Sequence, residues 1–330
     1  MSGVLLGVLL ALSSAVFNGA SRSFSSRPLT SVDARLVNYW SALVGLLASF
    51  LMMLASGQAA ELLAMSPAEL AIFLTVGVLN FGIGRFLVYT AIKNIGANQT
   101  GALLPAAIVS AFFFGVLFAG ESLSAGIVVG AVLVMAGAAT IEARIGASMR
   151  KGKTTTGIGS ALAASALYGG TFVLLQAGLS LYPFAASAIF VSYISATAFT
   201  AVFYNPARSI GEARSLGRGT MISILLSSLL LMFSQASRFA ALDFVSVVVA
   251  APITQLNPVF IVAWTRVFAR DVETFRARTL LGIAVAVVGA ALAQCGPYDR
   301  RRAGHVFLSS FLQSVAVWPD LDCGLAFAGG

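Results

Sequence analysis

The chain has 330 residues, 58% of them hydrophobic and 10% charged, with a formal net charge of +8. A soluble domain carries about 25% charged residues, so no water-facing surface can be assembled from this composition. The basic residues sit in short clusters between apolar runs rather than along one polar face, which argues against a nucleic-acid interface and fits membrane orientation.

Apolar runs long enough to cross a hydrocarbon core of about 30 Å recur down the chain, and in lipid they must be helical to satisfy their own backbone. Ten spans are predicted, at about 3–21, 35–55, 68–92, 98–119, 123–141, 157–178, 184–204, 219–241, 246–267 and 277–295. Met1 to Ala20 reads as the first span and not as a signal peptide. It lacks a basic n-region, and its apolar part exceeds the typical h-region of about 7 to 15 residues. The longest internal connections, Glu142 to Thr156 and Asn205 to Arg218, are basic and read as solvated loops. Beyond residue 297 the pattern ends. Val306 to Trp318 is apolar but about 13 residues long, too short for a span, so the tail is expected to be disordered or interfacial.

The two halves match at an offset of about 151 to 154 residues. Val37, Tyr39, Ser41 and Ala42 align with Val191, Tyr193, Ser195 and Ala196; Arg85 and Phe86 with Arg238 and Phe239; Pro105 with Pro258; Gly19 with Gly170. Glu121, Gly130 and Gly137 align with Glu273, Gly282 and Gly289. The fold expected is therefore an all-α membrane protein of ten transmembrane helices in two inverted five-helix repeats, because an odd number of spans per repeat reverses the entry side of the second copy. The expected units are 1–145, a basic connecting loop 146–156, 157–296 and the tail 297–330. Loops after the odd-numbered spans carry about fourteen Lys and Arg, starting at Arg22, and loops after the even-numbered spans essentially none. That places the odd loops in the cytoplasm and both termini outside, against which stand Arg300, Arg301 and Arg302.

Arg85 and Arg238 lie well inside their spans, where an arginine costs about 2.5 to 3.5 kcal/mol and should face protein or a water-filled cavity. No carboxylate in a span is placed to pair with them. Asp243 follows Arg238 by five residues, about 140° around a helix. The two arginines are candidate contacts for an anionic part of a substrate; bonding to backbone carbonyls or interfacial phosphates competes with that reading. Asn18, Asn80, Tyr89, Tyr168, Gln235, Gln255 and Asn257 are candidate cavity lining, since lipid would not accommodate them. Pro105 and Pro258 are read as kinks inside long helices at matching places. Asp243, near the end of the eighth span, is a candidate proton-coupling carboxylate, or else a solvated loop residue. Glu121 and Glu273 read as helix-capping carboxylates, and Gly126 with Gly130 as a close-packing pair. Cys295, Cys323 and His305 form no metal or catalytic cluster.

Ala166-Leu167-Tyr168-Gly169-Gly170-Thr171-Phe172-Val173 in span six, and the stretch from Pro105 to Gly130 with Gly120-Glu121 followed by Gly130, resemble the drug/metabolite transporter superfamily, specifically its two-repeat EamA-type permeases. The likeness covers roughly residues 1–296. It implies ten spans, a central cavity between the halves and alternating access for small metabolites. The chain departs from the pattern at Asn18-Gly19, where an aromatic-glycine pair is usual, at Val272-Glu273, where Gly-Glu is usual, and in the loop after span two, which lacks basic residues.

The function expected is a secondary transporter or exporter of a small polar metabolite in the plasma (inner) membrane, with a proton as a candidate coupling ion. No cofactor and no nucleic-acid partner are expected, and the oligomeric state is open. Without a P-loop, direct ATP drive is not indicated. A membrane enzyme acting on a lipid-like substrate would show clustered Asp, Glu or His near one membrane face, and the acids here are scattered. A scaffold would need no polar cavity or symmetric intramembrane arginines.

Overall fold

Caps and prolines set where the helices of this protein begin. The computed structural model describes residues 2–119, 128–129, 132–133, 136, 151–204, 206–244, 253–254, 256–268 and 277–292. Helix α1 spans Ser2–Ser31 and α2 Ala34–Ala55, the latter started by Asp33, whose carboxylate accepts from the Arg35 N–H. A 3-10 turn at Glu61–Ala64 precedes α3, Pro67–Val76. Ser66 and Glu69 close a reciprocal capping box there, with Pro67 in the first turn where its missing N–H costs nothing. The chain continues without a break through a π-helical segment, Gly77–Gly84, into α4, Arg85–Ile95. Gly96, at a positive φ of 86°, turns it into α5, Ala97–Leu103, and α6 covers Ala106–Ala119. The second half holds α7 at Lys151–Leu181, α8 at Ala185–Phe203, α9 at Pro206–Ser215, α10 at Arg218–Phe244, α11 at Asn257–Phe268 and α12 at Ala277–Leu292.

Among the described residues all regular structure is helical, and six segments are long and apolar enough to cross a bilayer: Leu5–Ser31, Ala34–Ala55, Pro67–Ile95, Lys153–Leu181, Ala185–Phe203 and Arg218–Ala241. They correspond to expected spans one, two, three, six, seven and eight. Expected spans four, nine and ten appear as shorter helices. The fifth lies outside the described residues except for helical positions at 128–129, 132–133 and 136, as do the tail, Glu121, Glu273, Gly126, Gly130, Cys295, Cys323 and His305. Leu47, Leu51, Val202, Phe203 and Ile222 are 61% to 82% exposed, an apolar outer surface that only lipid would cover favourably. The protein is a multi-pass integral membrane protein.

Three expectations about loops are corrected. The first span does not end near residue 21: α1 runs ten residues further, so Arg22 and Arg27 are helical, and Arg22 is only 7% exposed. It drops out of the loop-charge argument for orientation. Residues 151–156 belong to α7 and not to a loop, with Thr154 buried. The segment expected as a loop at 205–218 contains α9, because Pro206 is suited to a first helical turn and the Glu212 carboxylate accepts from the Tyr204 hydroxyl at 2.6 Å, pinning the helix to the end of α8.

The helices pair across the halves. The first span, α1, packs chiefly on α10 and α11; its counterpart α7 packs on α6 and α4; α2 packs on α8. Exchanging the two halves maps span pairs one–eight, one–nine and two–seven onto six–three, six–four and seven–two, so the contacts respect the repeat. Glycines at neighbouring positions of the two repeats, Gly19 and Gly169, mark close crossings. A Cβ on Gly19 would lie 2.6 Å from Phe260 Cβ and 2.8 Å from the Ile261 backbone nitrogen of α11. On α7, a Cβ on Gly169 would lie 2.5 Å from both the Ala107 carbonyl oxygen and the Ala111 nitrogen of α6. No side chain fits between backbones this near. Gly169→Val should therefore destabilise the detergent-solubilised protein by about 1–3 kcal/mol in thermal unfolding. Gly159→Ala, on the same helix with open space around it, should be neutral or slightly stabilising.

Candidate functional site

Polar side chains are rare inside the bundle's spans, and the helical periods of four different segments gather them in one place. On α1, Ser14, Asn18, Ser21 and Arg22 recur at intervals of three and four and share one face. On α10, Leu231, Ser234, Gln235 and Arg238 do the same, as do Tyr168 and Phe172 on α7. Asn80 and Arg85 are five residues apart, which in a regular α-helix would turn them about 140° away from each other. The π segment corrects this: the Arg85 backbone N–H donates to the Asn80 carbonyl, five residues back, and both side chains reach the same cavity.

That cavity lies between the halves and is lined by the residues just named together with Val88, Tyr89, Leu104, Ala107, Thr254 and Asn257. Its volume is about 60 Å³, room for on the order of four waters. Of the nine residues expected to line a cavity, the structure brings together Asn18, Asn80, Arg85, Tyr89, Tyr168, Gln235, Arg238 and Asn257; Gln255 lies outside the described residues. The Asp243 side chain also lies outside them, although its backbone is in the last turn of α10.

The arginines sit in different surroundings. Arg85, 3% exposed, donates from Nη1 to Ser41 Oγ at 3.2 Å and from Nη2 to the Tyr193 hydroxyl at 3.0 Å. Its guanidinium carbon is 4.9 Å from the Phe81 ring centre and 5.3 Å from that of Tyr193, so neutral hydroxyls and π faces take the place of water. Tyr89 donates to the same Ser41 Oγ at 3.2 Å, and Asn80 donates to Thr171 Oγ1 at 2.8 Å across the halves. Arg238 lies 4.8 Å from the Phe172 ring centre, and its Nε and Nη2 have no hydrogen-bond partner among the described residues.

A third arginine, Arg22, was missed by sequence reasoning because it was assigned to a loop. Its Nε donates to Asn18 Oδ1 at 2.6 Å, while its Nη1 has no partner among the described residues. Asn18 is the midpoint of the Leu5–Ser31 span, so Arg22 lies about 6 Å along the axis from the centre. The signal available was the four-residue spacing from Asn18, which allows a helical pair, and the absence of a helix breaker before Pro28.

The prolines act differently from the expected kinks. The helix stops at Leu103 and resumes at Ala106, so Pro105 sits in a break; the Ala107 N–H bridges it to the Leu104 carbonyl at 2.9 Å. Pro258 is not in a helix interior: it is the second residue of α11, after a turn at Leu256, where a missing N–H is tolerated. The Val259 N–H bonds the Leu256 carbonyl at 3.0 Å across it. Helices α6 and α11 therefore both start at the cavity, to which Ala107 and Asn257 in their first turns contribute.

Removing the Tyr193 hydroxyl would leave a buried guanidinium N–H without a partner. Tyr193→Phe should lower stability by roughly 1–3 kcal/mol in thermal unfolding. Because Ser41 bonds the same guanidinium, the effect of Ser41→Ala should be non-additive with it in a double-mutant cycle.

No curated protein matches the chain. A solved structure described only as a crystal structure of a protein superimposes with a TM-score of 0.60 at 17% identity, covering 89% of this chain and 96% of that one, which shows a shared fold. The EamA-like transporter family profile matches twice, over residues 5–142 and 155–294, and the chain belongs to that family.

Proposed function

We propose that the chain is a secondary transporter of a small polar metabolite, working by alternating access around the cavity between two inverted repeats, 1–145 and 157–296, joined by the basic segment 146–156 and followed by the tail 297–330. The observation that carries this reading is the cavity itself. In a chain that is 58% hydrophobic, both halves direct amide, hydroxyl and guanidinium groups into one space, and lipid-facing packing gives no reason to do so. Breaks in corresponding helices at that space suit a binding site near the midplane, since irregular backbone in a membrane is tolerated where it lines a cavity. The localisation proposed is the plasma (inner) membrane.

Coupling to protons through Asp243 is part of the proposal. It stands one and a half turns beyond Arg238, in the last turn of α10, where movement of one half against the other would change its access.

Uptake or exchange of a metabolite library by the reconstituted protein, with and without an imposed pH gradient, tests both parts. Saturable flux of at least one polar compound is expected, accelerated by the gradient. Asp243→Asn should abolish the acceleration and leave exchange at equal pH within about twofold. Absence of flux and exchange for every compound would remove the transporter reading, and gradient-driven uptake that persists in Asp243→Asn would remove the coupling.

A further inference from the structure

We propose that the cavity is a receptor for a compact organic dianion that also carries a hydroxyl or ammonium donor, with Arg238 and Arg22 holding its negative charge. The inference rests on the transport reading only for the fate of the solute; the binding claim follows from the lining.

The first argument is charge. Three guanidinium groups, Arg22, Arg85 and Arg238, line the cavity, and arginine stays protonated in proteins. No Asp or Glu is among the described lining residues. Helices α6 and α11 begin there, adding the partial positive charge of two helix N-termini. A neutral solute would leave all three cations uncompensated and a monoanion would leave two. A dianion leaves one, and Arg85 is already provided for by Ser41, Tyr193 and two ring faces.

Donor geometry is the second argument. Arg85 has both terminal nitrogens engaged, whereas the unengaged donors of Arg238 are Nε and Nη2, the two N–H groups on one edge of the guanidinium plane. That edge presents parallel donors matched to two oxygens of a carboxylate or phosphate. Arg22 adds Nη1, and is 93% buried by its 7% exposure. Among the described residues no acceptor meets these donors, which leaves them to cavity water or to a bound solute.

The acceptors complete the description. Gln235 Oε1 and Asn257 Oδ1, each on a side chain only 7% exposed, lack a donor among the described residues. A solute that satisfies them must carry its own N–H or O–H. With about 60 Å³ available, it must also be compact. A phosphate monoester and a hydroxydicarboxylate both meet the charge and donor terms, and either is larger than about four waters, so its binding also requires the cavity walls to part.

Calorimetric titration of the full chain in phosphatidylcholine vesicles, with glycerol, lactate, succinate, malate and glycerol 3-phosphate as probes, tests the proposal. Malate or glycerol 3-phosphate should bind at least about tenfold more tightly than lactate, glycerol should not bind, and succinate should be weaker than malate. Whichever of the two leads identifies the anion as dicarboxylate or phosphate. Arg238→Gln and Arg22→Gln should each weaken that binding about tenfold or more, one charge-assisted contact being worth at least that factor. Arg238→Lys, which keeps the charge and loses the paired donors, should fall between, and reads the effect if a Gln variant does not fold. Arg218→Gln, at the exposed start of α10, should change nothing. Binding of glycerol or lactate as tight as that of the dianions would overturn the proposal, as would failure of every probe to bind, or dianion binding unchanged in both Arg22→Gln and Arg238→Gln. Transport of a neutral solute with no dianion binding would overturn it and leave the transporter reading standing; tight dianion binding without flux of any compound would do the reverse.

Discussion

A guanidinium cannot be left bare in a hydrocarbon core, and the arrangement of this bundle depends on how three of them are kept away from lipid. Arg85 is the fully provided case. Its two hydroxyl partners come from α2 and α8, so both helices must lie alongside α4. The π segment that aims Arg85 into the cavity also has a carbonyl, Gly82, satisfied by Asn38 Nδ2 of α2 at 2.9 Å. Spans two, three and seven are thus tied around one side chain. The cost of burying the charge, about 2.5 to 3.5 kcal/mol if left to lipid, is offset by contacts that also specify the packing.

On the opposite wall the seam between α1 and α10 is made of small hydroxyls. Ser14 and Ser234 are 3.2 Å apart, Ser234 donates to the Ser14 carbonyl at 2.8 Å, and Ser21 donates to the Ser227 carbonyl at 2.7 Å. Apolar side chains gain little from leaving lipid for protein, so association of these helices rests on close approach and interhelical hydrogen bonds. Serine supplies both here, and glycine supplies the approach where α1 meets α11 and α7 meets α6. The same tight seams place Asn18 Nδ2 3.5 Å from Ser234 Oγ, and Asn18 in turn accepts from Arg22, so the packing of the halves and the lining of the cavity share contacts.

Much of this was legible in the sequence, because composition, apolar run length and repeat offset are properties of the chain alone. In-span asparagine, glutamine, tyrosine and arginine point to a cavity for the same reason: lipid leaves them no other place. What escaped depended on neighbours. The reach of α1 to Ser31 is a matter of burial, since Ser23, Ser25, Ser26 and Leu29 are all covered by other helices, and a polar stretch carrying two arginines and a proline otherwise reads as a loop. Arg22 was lost with it. The π turn at Gly77–Gly84 has no composition of its own that separates it from an α-helix, and it alone decides that Asn80 and Arg85 face the same way. Pro258 was misplaced because the apolar run around it does not reveal where a helix starts.

The repeat explains why Arg85 and Arg238 exist as a pair but not why they differ. Arg85's partners have counterparts in the other copy: Ser195 for Ser41, and Tyr39 for Tyr193. Neither is engaged with Arg238. Ser195 donates to the Leu74 carbonyl at 2.8 Å and to that of Ser192 at 3.1 Å, while the Tyr39 ring packs against Trp40 and Tyr204. One arginine is clamped between α2 and α8, and its equivalent lies against the Phe172 and Phe239 faces, with two donors unengaged among the described residues. Two copies of one sequence feature therefore occupy two environments within a single conformation. For inverted copies that exchange roles between an inward and an outward state, such asymmetry is required in each state, because a fully symmetric arrangement would be equally open or equally closed to both sides of the membrane. On the alternating-access mechanism proposed above, the difference between the two arginines is the local form, at the cavity wall, of the asymmetry that one-sided access needs of the whole bundle.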